Sequence, residues 1–401
     1  MELIHGIETV DLPQDFAPAR TVATSVIGLI GTSNGDIANN ELVLTTTERG
    51  DAVFGDKGTL PAALRAIRQN QSRKGGAVVI VNKIGSHTDT ITPAQVIGAV
   101  SATNVRTGLK LFEVSNSKFG LEPMIYDATS FSSLGAVTNE LRGIAYKNEA
   151  MAYINTPSGY TFGEAIAARQ PNGDFSNLDG GCKLLFPHLL YPNVDYIDAD
   201  QTPDVDRFIA APFSSYAAGL RSRIDMDFGW HYSSSNHPIF GVARPDVDLT
   251  FGIGDPTCEV HMLNAQGVTT AAALPGLGLR VWGNYTAGFP GNTTVDMFEA
   301  VRRTRAIMKR TLVLSASPFL SIPLIQAHID MIRNTVQQYL NVLMAQKRIV
   351  FGECTYRLEN NPIGQLAAGH VTFDIEFTPC IPMQKMTFNF AINLDQLLNI
   401  S

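Results

Sequence analysis

Apolar and polar residues follow two different rhythms along this chain. Up to about residue 200, apolar runs alternate with segments in which apolar residues recur every three or four positions. The runs are TSVIGLIGTS, AVVIVN, PMIYDA and AMAYIN, and the helical segments are TPAQVIGAVSA and SSLGAVTNELRGIAYKNE. Strands that alternate with helices indicate an α/β layer arrangement. We therefore predict an α/β domain over residues 21–200.

The remainder of the chain predicts an α+β organisation. Residues 201–275 are rich in Asp, Ser, Pro and Gly, which is typical of loops with short strands. Residues 276–384 contain two helical patterns, DMFEAVRRTRAIMKRTL and PLIQAHIDMIRNTVQQYLNVLMAQKR, the second with Pro323 at its start. RIVFGECTYRL and HVTFDIEFTP then alternate with a period of two, so this part predicts helices packed on a strand layer.

Both chain ends read as strands. Residues 3–10, LIHGIETV, form a short strand pattern before a proline-bearing linker. Near the other end, an extended backbone would place four apolar side chains on one face: Phe388, Phe390, Ile392 and Leu394. Two interpretations stay open for this second strand. It closes an ordinary hairpin with HVTFDIEFTP through the loop CIPMQ, or it pairs with another chain.

Composition excludes several classes of protein. The chain has 401 residues, a formal charge of −7 and only 17% charged residues. Nucleic-acid binding depends on clustered Lys and Arg, so we expect no nucleic-acid partner. The four scattered cysteines fit a reducing cytosol. The first residues lack the pattern of a signal peptide, and no run approaches about 18 apolar residues, so we expect no membrane insertion.

No motif indicates an active site. The glycine-containing run from Gly50 to Lys57 has an Asp where a phosphate-binding loop needs Lys after Gly. Four residues could serve as zinc ligands, but their spacing is loose and favours turn and core roles: His231, His237, Cys258 and His261. We predict no catalytic, cofactor-binding or metal-binding residues. The alternative, a cytosolic α/β enzyme whose site is not recognised, remains open because of the strand and helix alternation.

A basic stripe marks the first C-terminal helical pattern. At 100° per residue, five cations lie opposite the apolar arc of the helix: Arg302, Arg303, Arg305, Lys309 and Arg310. In an acidic protein this stripe could dock an acidic partner. A solvated or internally paired helix face is the alternative.

Several of these segments resemble the contractile tail sheath proteins of phages and R-type pyocins. The resemblance is strongest in three runs, LNAQGVTT at 263–270, GLRVWGN at 278–284 with Thr286, and VRRT at 301–304. HGIE at 5–8 and TSVIGLIGT at 24–32 are also similar to family openings. One departure lies between Arg221 and Asn236, where Ser234 and Ser235 replace the family's Ser-Pro and leave the loop geometry open.

The resemblance implies a multidomain α+β fold. Its C-terminal core would be helices on a small mixed sheet, with the α/β domain inserted and residues 201–275 forming the outer part of that insertion. Residues 1–20 and 385–401 would be extended arms that add strands to neighbouring subunits, whose acceptor strands come from about 350–378. The inter-subunit arm residues would be Leu3, Ile4, Ile7, Val10, Phe388, Phe390, Ile392 and Leu394.

The resemblance also implies a function. The chain would be a structural subunit, without cofactor or enzymatic activity, that polymerises in stacked helical rings around an inner tail tube and contracts to drive that tube through the target envelope. Its partners would be other copies of itself, the tube protein, and baseplate and tail terminator proteins. Assembly would take place in the host cytoplasm and the product would be the virion tail. The basic stripe would grip the tube.

Overall fold

The computed structural model describes residues 23–193 and 207–394. Its strands are β1 (Val26–Thr32), β2 (Leu42–Thr45), β3 (Val78–Gly85), β4 (Ile125–Asp127), β5 (Met151–Asn155), β6 (Cys182–Leu185), β7 (Leu189–Pro192), β8 (Phe208–Ala211), β9 (Arg244–Pro245), β10 (Val268–Leu274), β11 (Gly278–Trp282), β12 (Ile349–Thr355) and β13 (Asp374–Pro379). Its α-helices are α1 (Glu48–Asp51), α2 (Thr59–Asn70), α3 (Pro93–Ile97), α4 (Ser115–Phe119), α5 (Gly135–Lys147), α6 (Phe162–Ala167), α7 (Phe213–Asp227), α8 (Glu259–Asn264), α9 (Glu299–Ala316), α10 (Gln326–Ala345) and α11 (Ile363–Ala367).

An eight-stranded sheet in the order β11-β10-β6-β5-β4-β1-β3-β2 forms the centre of the molecule. The six strands between the two edges run parallel, and β2 and β11 pair antiparallel at the edges. Every residue of β1 is buried. Continuous apolar strands are expected where helices cover both faces of a parallel sheet, so the predicted α/β layers are present.

Two hydrophobic cores lie on opposite faces of this sheet. On one face α2 and α7 contribute Ile67, Phe213 and Leu220. On the other, α3, α5 and α6 contribute Val96, Leu141 and Ala165 among others. A smaller antiparallel sheet, β8-β7-β9, contributes Leu189 and Ala211 to the core on the side of α2 and α7.

The stretch predicted as loops, residues 201–275, contains a long buried helix. Helix α7 has little amphipathic pattern because most of its residues are buried, Ser214, Ser215 and Arg221 among them. Strands β10 and β11 form a hairpin at the edge of the main sheet. The predicted boundary between residues 275 and 276 falls in the turn of that hairpin, and the α/β domain therefore extends at least through β11.

The C-terminal unit packs α9 and α10 on the pair β12–β13. Its core includes Ile307, Leu340 and Ile349, together with Met124 and Trp230 from the α/β domain. Helix α10 begins at Gln326, three residues after the proline that was predicted to start it. In the described residues β12 and β13 form an antiparallel pair.

The end of the described chain has no regular secondary structure. Residues 380–394 belong to no helix or strand, so the hairpin between this segment and β13 is not formed. The N-terminal arm residues Leu3, Ile4, Ile7 and Val10, and the end of the chain after residue 394, lie outside the described residues.

Candidate assembly site

The C-terminal segment, residues 380–394, presents its apolar face to solvent. The exposed fractions are 73% for Phe388, 95% for Phe390, 89% for Ile392 and 65% for Leu394. Isolated apolar residues are common on protein surfaces, but a continuous row of large ones marks an interaction site. The four residues predicted as arm contacts therefore form one exposed row.

One side-chain hydrogen bond connects this segment to the loop after β11. The Asn284 side chain donates from Nδ2 to Oε1 of Gln384 at 2.8 Å, which ties the segment to the α/β domain. Below it lies an open cavity of about 1310 Å³, lined on one side by Trp282 and Tyr285 and on the other by Met383. The segment thus leaves the β12–β13 pair instead of folding back on it.

The basic stripe is not one open cationic face. Arg303 is fully buried, and Arg302 and Arg310 are largely buried. Arg302 donates to Glu149 at 2.9 Å, and Arg310 donates to the carbonyl oxygens of Pro123 and Asn148. Their charges are matched within the chain, because the polar side of α9 packs against the α/β domain and not against water.

The other two cations of the stripe keep some exposure. Lys309 is 52% exposed beside Glu149, and Arg305 is 39% exposed beside Asp296. Surface pairs of this kind contribute about 0–1 kcal/mol, so these two side chains remain available to a partner.

A buried ion pair joins the start of α9 to the main sheet. The carboxylate of Glu299 accepts from Lys183 of β6, from the Tyr153 hydroxyl at 2.5 Å and from the Ser234 hydroxyl at 2.9 Å. Burial alone raises the pKa of the Glu299 carboxyl, but Lys183 and Arg221 outweigh burial and lower this pKa to about 2. The carboxylate is therefore charged in the folded protein.

A second buried pair lies one turn further along α9. Arg303 donates to Asp225 of α7 at 2.5 Å and to the Thr24 carbonyl at 3.1 Å. Asp225 also accepts from Arg221, whose guanidinium reaches the Tyr232 carbonyl as well. Since removing one partner of a buried pair leaves an uncompensated charge, these contacts hold the C-terminal unit and the α/β domain in one arrangement.

Sequence reasoning missed this junction, although a weak signal exists. Lys183 interrupts the apolar strand CKLL, and a lone lysine inside a buried strand requires a partner. Glu299 is the acid of the first turn of α9, where the helix dipole also favours a carboxylate. Neither residue points to the other along the sequence, because 116 positions separate them.

The position where a doubly wound sheet normally binds a ligand is filled by the chain itself. That position is the crevice beyond the carboxyl ends of strands at the topological switch point, here between β1 and β4. Asp127 at the end of β4 accepts from Ser214 at 2.7 Å, Ser215 at 2.6 Å and the Thr129 backbone at 2.8 Å. Burial raises the pKa of the Asp127 carboxyl, and the start of α7 covers it. This crevice therefore does not favour the enzyme alternative.

The possible zinc ligands do not converge. Among residues 23–193 and 207–394, no three His, Cys, Asp or Glu side chains are grouped to hold a metal ion. His261 stacks on Phe251, and His231 packs against Tyr232. Within the same ranges no helix has the length and apolar character needed to cross a membrane.

The residues that carry the family resemblance have structural roles around the β10–β11 hairpin. The Asn264 side chain donates to the carbonyls of Val268 at 2.9 Å and Trp282 at 3.2 Å. Gly267 has a φ of 72°, and a Cβ there would lie 2.4 Å from the Phe289 carbonyl oxygen. In the departing segment, Ser234 is buried and contacts both Lys183 and Glu299.

Comparisons with solved structures define the class of fold. The helical sheath of the anti-feeding prophage, in its contracted state, superposes with a TM-score of 0.68 at 15% identity over 97% of this chain and 100% of that one. At this identity the likeness shows the fold alone, and it spans both the α/β domain and the C-terminal unit.

Sequence comparisons show similarity to one family of proteins. The profile described as "Phage tail sheath protein central domain" matches residues 124–287. The tail sheath protein of Burkholderia phage BcepMu is 34% identical over 313 residues, which are 77% of this chain and 64% of the phage protein. That of Escherichia phage P2 is 24% identical over 99% of this chain and 97% of its own length. This chain is therefore similar to phage tail sheath proteins, and it spans about two thirds of the BcepMu protein and nearly all of the P2 protein.

Proposed function

We propose that this chain is the structural subunit of a contractile tail sheath. It polymerises helically around an inner tail tube, in stacked rings, and contracts to drive the tube through the target envelope. The observation that carries the proposal is the exposed row of Phe388, Phe390, Ile392 and Leu394 beside β12–β13, a two-stranded sheet within residues 23–193 and 207–394. A second chain that covers this row would remove its apolar side chains from water.

Strand addition supplies the contact. Main-chain hydrogen bonds give affinity and alternate side chains set the register. Burial of each large apolar side chain contributes about 1.5–3 kcal/mol, which is offset by about 1–2 kcal/mol for each residue that becomes ordered. A single arm is therefore marginal, and the polymer gains stability from many. A subunit that gives to one neighbour and receives from another forms a heterologous contact, which grows into a helix when it does not close.

Apart from the arms, we propose that each subunit moves as one rigid unit. The buried pairs of Glu299 and Arg303 tie the C-terminal unit to the α/β domain. Contraction then changes contacts between bodies while the arms keep them linked, and it requires neither enzymatic activity nor a cofactor. The further partners are the tube, baseplate and terminator proteins. Assembly takes place in the host cytoplasm and the product is the virion tail.

The N-terminal arm and the tube contact stay part of the proposal. Residues 1–20 would donate the second strand, through Leu3, Ile4, Ile7 and Val10. Tube docking rests on Lys309 and Arg305, the two stripe residues with exposed side chains. The three other stripe residues hold the body together.

Deletion of residues 385–401 tests the proposal. We expect the full-length protein to form tubes or rings in electron microscopy. The truncated protein should remain monomeric with an unchanged melting temperature, because the side chains of residues 385–394 are exposed. The control is the full-length protein with Tyr146→Ser, which removes an exposed aromatic residue from the α/β domain. Normal tubes from the truncated protein would refute the arm contact.

A further inference from the structure

The edge of β12 is occupied by a side chain of its own subunit. Gln337 of α10 donates from Nε2 to the Gly352 carbonyl at 3.2 Å, and its Oε1 accepts from the Cys354 backbone N–H at 2.8 Å. The amide also donates to Asn341 Oδ1 at 2.9 Å, which fixes its orientation. One side chain thus uses one donor and one acceptor in the middle of the strand.

The Gln337 side chain makes the same two hydrogen bonds as the backbone of a residue in a neighbouring parallel strand. A residue in a parallel ladder donates to the carbonyl before its partner and accepts from the N–H after it. The Gln337 amide does so on either side of Glu353. Helix α10 comes this close because residue 352 is glycine: a Cβ there would lie 3.2 Å from Leu340 Cβ.

The opposite edge of the sheet has no such cover. Cys354 pairs with Ile375, and Gly352 pairs with Phe377. In an antiparallel ladder, the backbone groups of two paired residues point either toward each other or both away. The Gly352 C=O and the Cys354 N–H point away from β13, toward Gln337. The N–H and C=O groups of Ile375 and Phe377 therefore point away from β12, to the free edge of β13. No hydrogen bond within the described ranges reaches them.

The free edge also offers a matching apolar surface. Ile375 and Phe377 are only partly buried against the C-terminal core. A strand that added to β13 would continue this surface with side chains at every second position, as Phe388 and Phe390 are spaced. In its own subunit this segment does not pair with β13, and Gln384 before it is bonded to Asn284. We therefore take the added strand from a second copy.

We propose that Gln337 determines which edge accepts the neighbouring subunit: it closes β12, so that residues 386–394 of a second copy add to β13. This inference rests on the proposed sheath function and assigns the edge and the residue that selects it. Covering an edge is a general protection against wrong strand pairing, and here one amide restricts assembly to a single geometry.

Disulfide trapping in assembled particles tests the assignment. Glu353 and Glu376 lie directly opposite each other in the pair, which makes them matched targets on the two strands. A strand on β13 would have its Cα atoms about 5 Å from β13 and roughly 10 Å from β12, and a disulfide requires about 4.4–6.8 Å. In a Cys380→Ser background, a cysteine is placed in turn at Thr387, Asn389 and Ala391 and combined with Glu376→Cys or Glu353→Cys.

We expect intermolecular cross-links to Glu376→Cys and none to Glu353→Cys. With Gln337→Ala the link to Glu353→Cys appears, whereas Gln338→Ala, an exposed glutamine on the same helix, leaves it absent. A link to Glu353→Cys in the protein that retains Gln337 overturns the assignment, and so does assembly without any link to Glu376→Cys. If the link to Glu353→Cys stays absent after Gln337→Ala, the role of Gln337 is refuted. Failure of the sheath function itself is distinct, because then the full-length protein forms no particles at all.

Discussion

The α/β domain and the C-terminal unit differ in how their apolar side chains are covered. In the α/β domain both faces of the sheet are covered from within the chain, and β1 is buried at every position. In the C-terminal unit the described residues form a sheet of two strands, and Phe390 of the following segment is 95% exposed. The strands of the first region are thus buried by helices of the same chain. The second region leaves apolar side chains exposed, and we propose that a further chain buries them.

Charge separates the two regions as well. Residues 299–401 contain ten Lys and Arg but seven Asp and Glu, in a chain that has 30 and 37 overall. The excess cations of α9 neutralise carboxylates of the acidic α/β domain, as Arg303 does for Asp225 and Arg302 for Glu149. Much of the positive charge of α9 is therefore used in ion pairs between the two regions and is not free to bind another protein.

The largest expected effect on stability comes from breaking the buried ion pair between Glu299 and Lys183. Glu299→Ala leaves Lys183 buried without its partner, and we expect the free energy of unfolding to fall by about 3–5 kcal/mol, measured by urea denaturation. Glu376→Ala, which removes an exposed pair with Arg357, is the control and should change it by about 1 kcal/mol or less. Similar losses in both variants would contradict the importance of burial.

A charge reversal separates the buried part of the basic stripe from its exposed part. Arg302→Glu places a carboxylate beside Glu149 in a largely buried position, so we expect a loss of about 3 kcal/mol in the free energy of unfolding. Arg305→Glu with Lys309→Glu should cost about 1 kcal/mol or less and weaken binding to the tube in a salt-sensitive way. Unaltered tube binding by the double variant argues against the docking role.

Acid should weaken the junction in a definite range of pH. The pKa of Glu299 is about 2 in the folded protein, against an ordinary value of 4.5. The unfolded chain therefore binds more protons between these values, and the contribution of Glu299 to stability, complete above pH 4.5, is lost as the pH falls toward 2. Denaturation at a series of pH values should show this decrease, and Glu299→Gln should flatten it. If the stability of Glu299→Gln fell with pH as steeply as that of the wild-type protein, the decrease would come from other carboxyl groups.

The smallest effect on stability is expected in the open region. Phe388→Ser with Phe390→Ser removes only exposed side chains, so the free energy of unfolding should change by about 0.5 kcal/mol or less. Assembly, observed by electron microscopy, should nevertheless be lost. Tubes of normal appearance would place the inter-subunit contact elsewhere.

The sequence predicted the elements whose pattern is local. The apolar runs gave β1, β3, β4 and β5, and three- and four-residue spacing gave α5, α9 and α10. Helix α7 was missed because a helix that is buried on most sides has no amphipathic pattern. The spacing of Phe388 to Leu394 predicted a strand with one apolar face, whereas the structure shows these side chains exposed on a segment that belongs to no strand.

Long-range partners explain what could not be predicted. Periodicity places Arg302 and Arg303 on the polar side of α9, but it does not reveal that this side faces Glu149 and Asp225 in another part of the chain. The same holds for Gln337, an ordinary helix residue until the fold places it beside Gly352 and Cys354.

The hydrogen bond between Asn284 and Gln384 limits the length of the segment that would connect a subunit to its neighbour in the proposed sheath. Only four residues lead from this anchor to Phe388, and a fully extended chain covers at most about 14 Å over that distance. In the proposed sheath, the edge that receives Phe388 therefore lies within about 14 Å of Gln384 for as long as this hydrogen bond is kept. Two subunits joined by so short a segment would rotate relative to one another without separating.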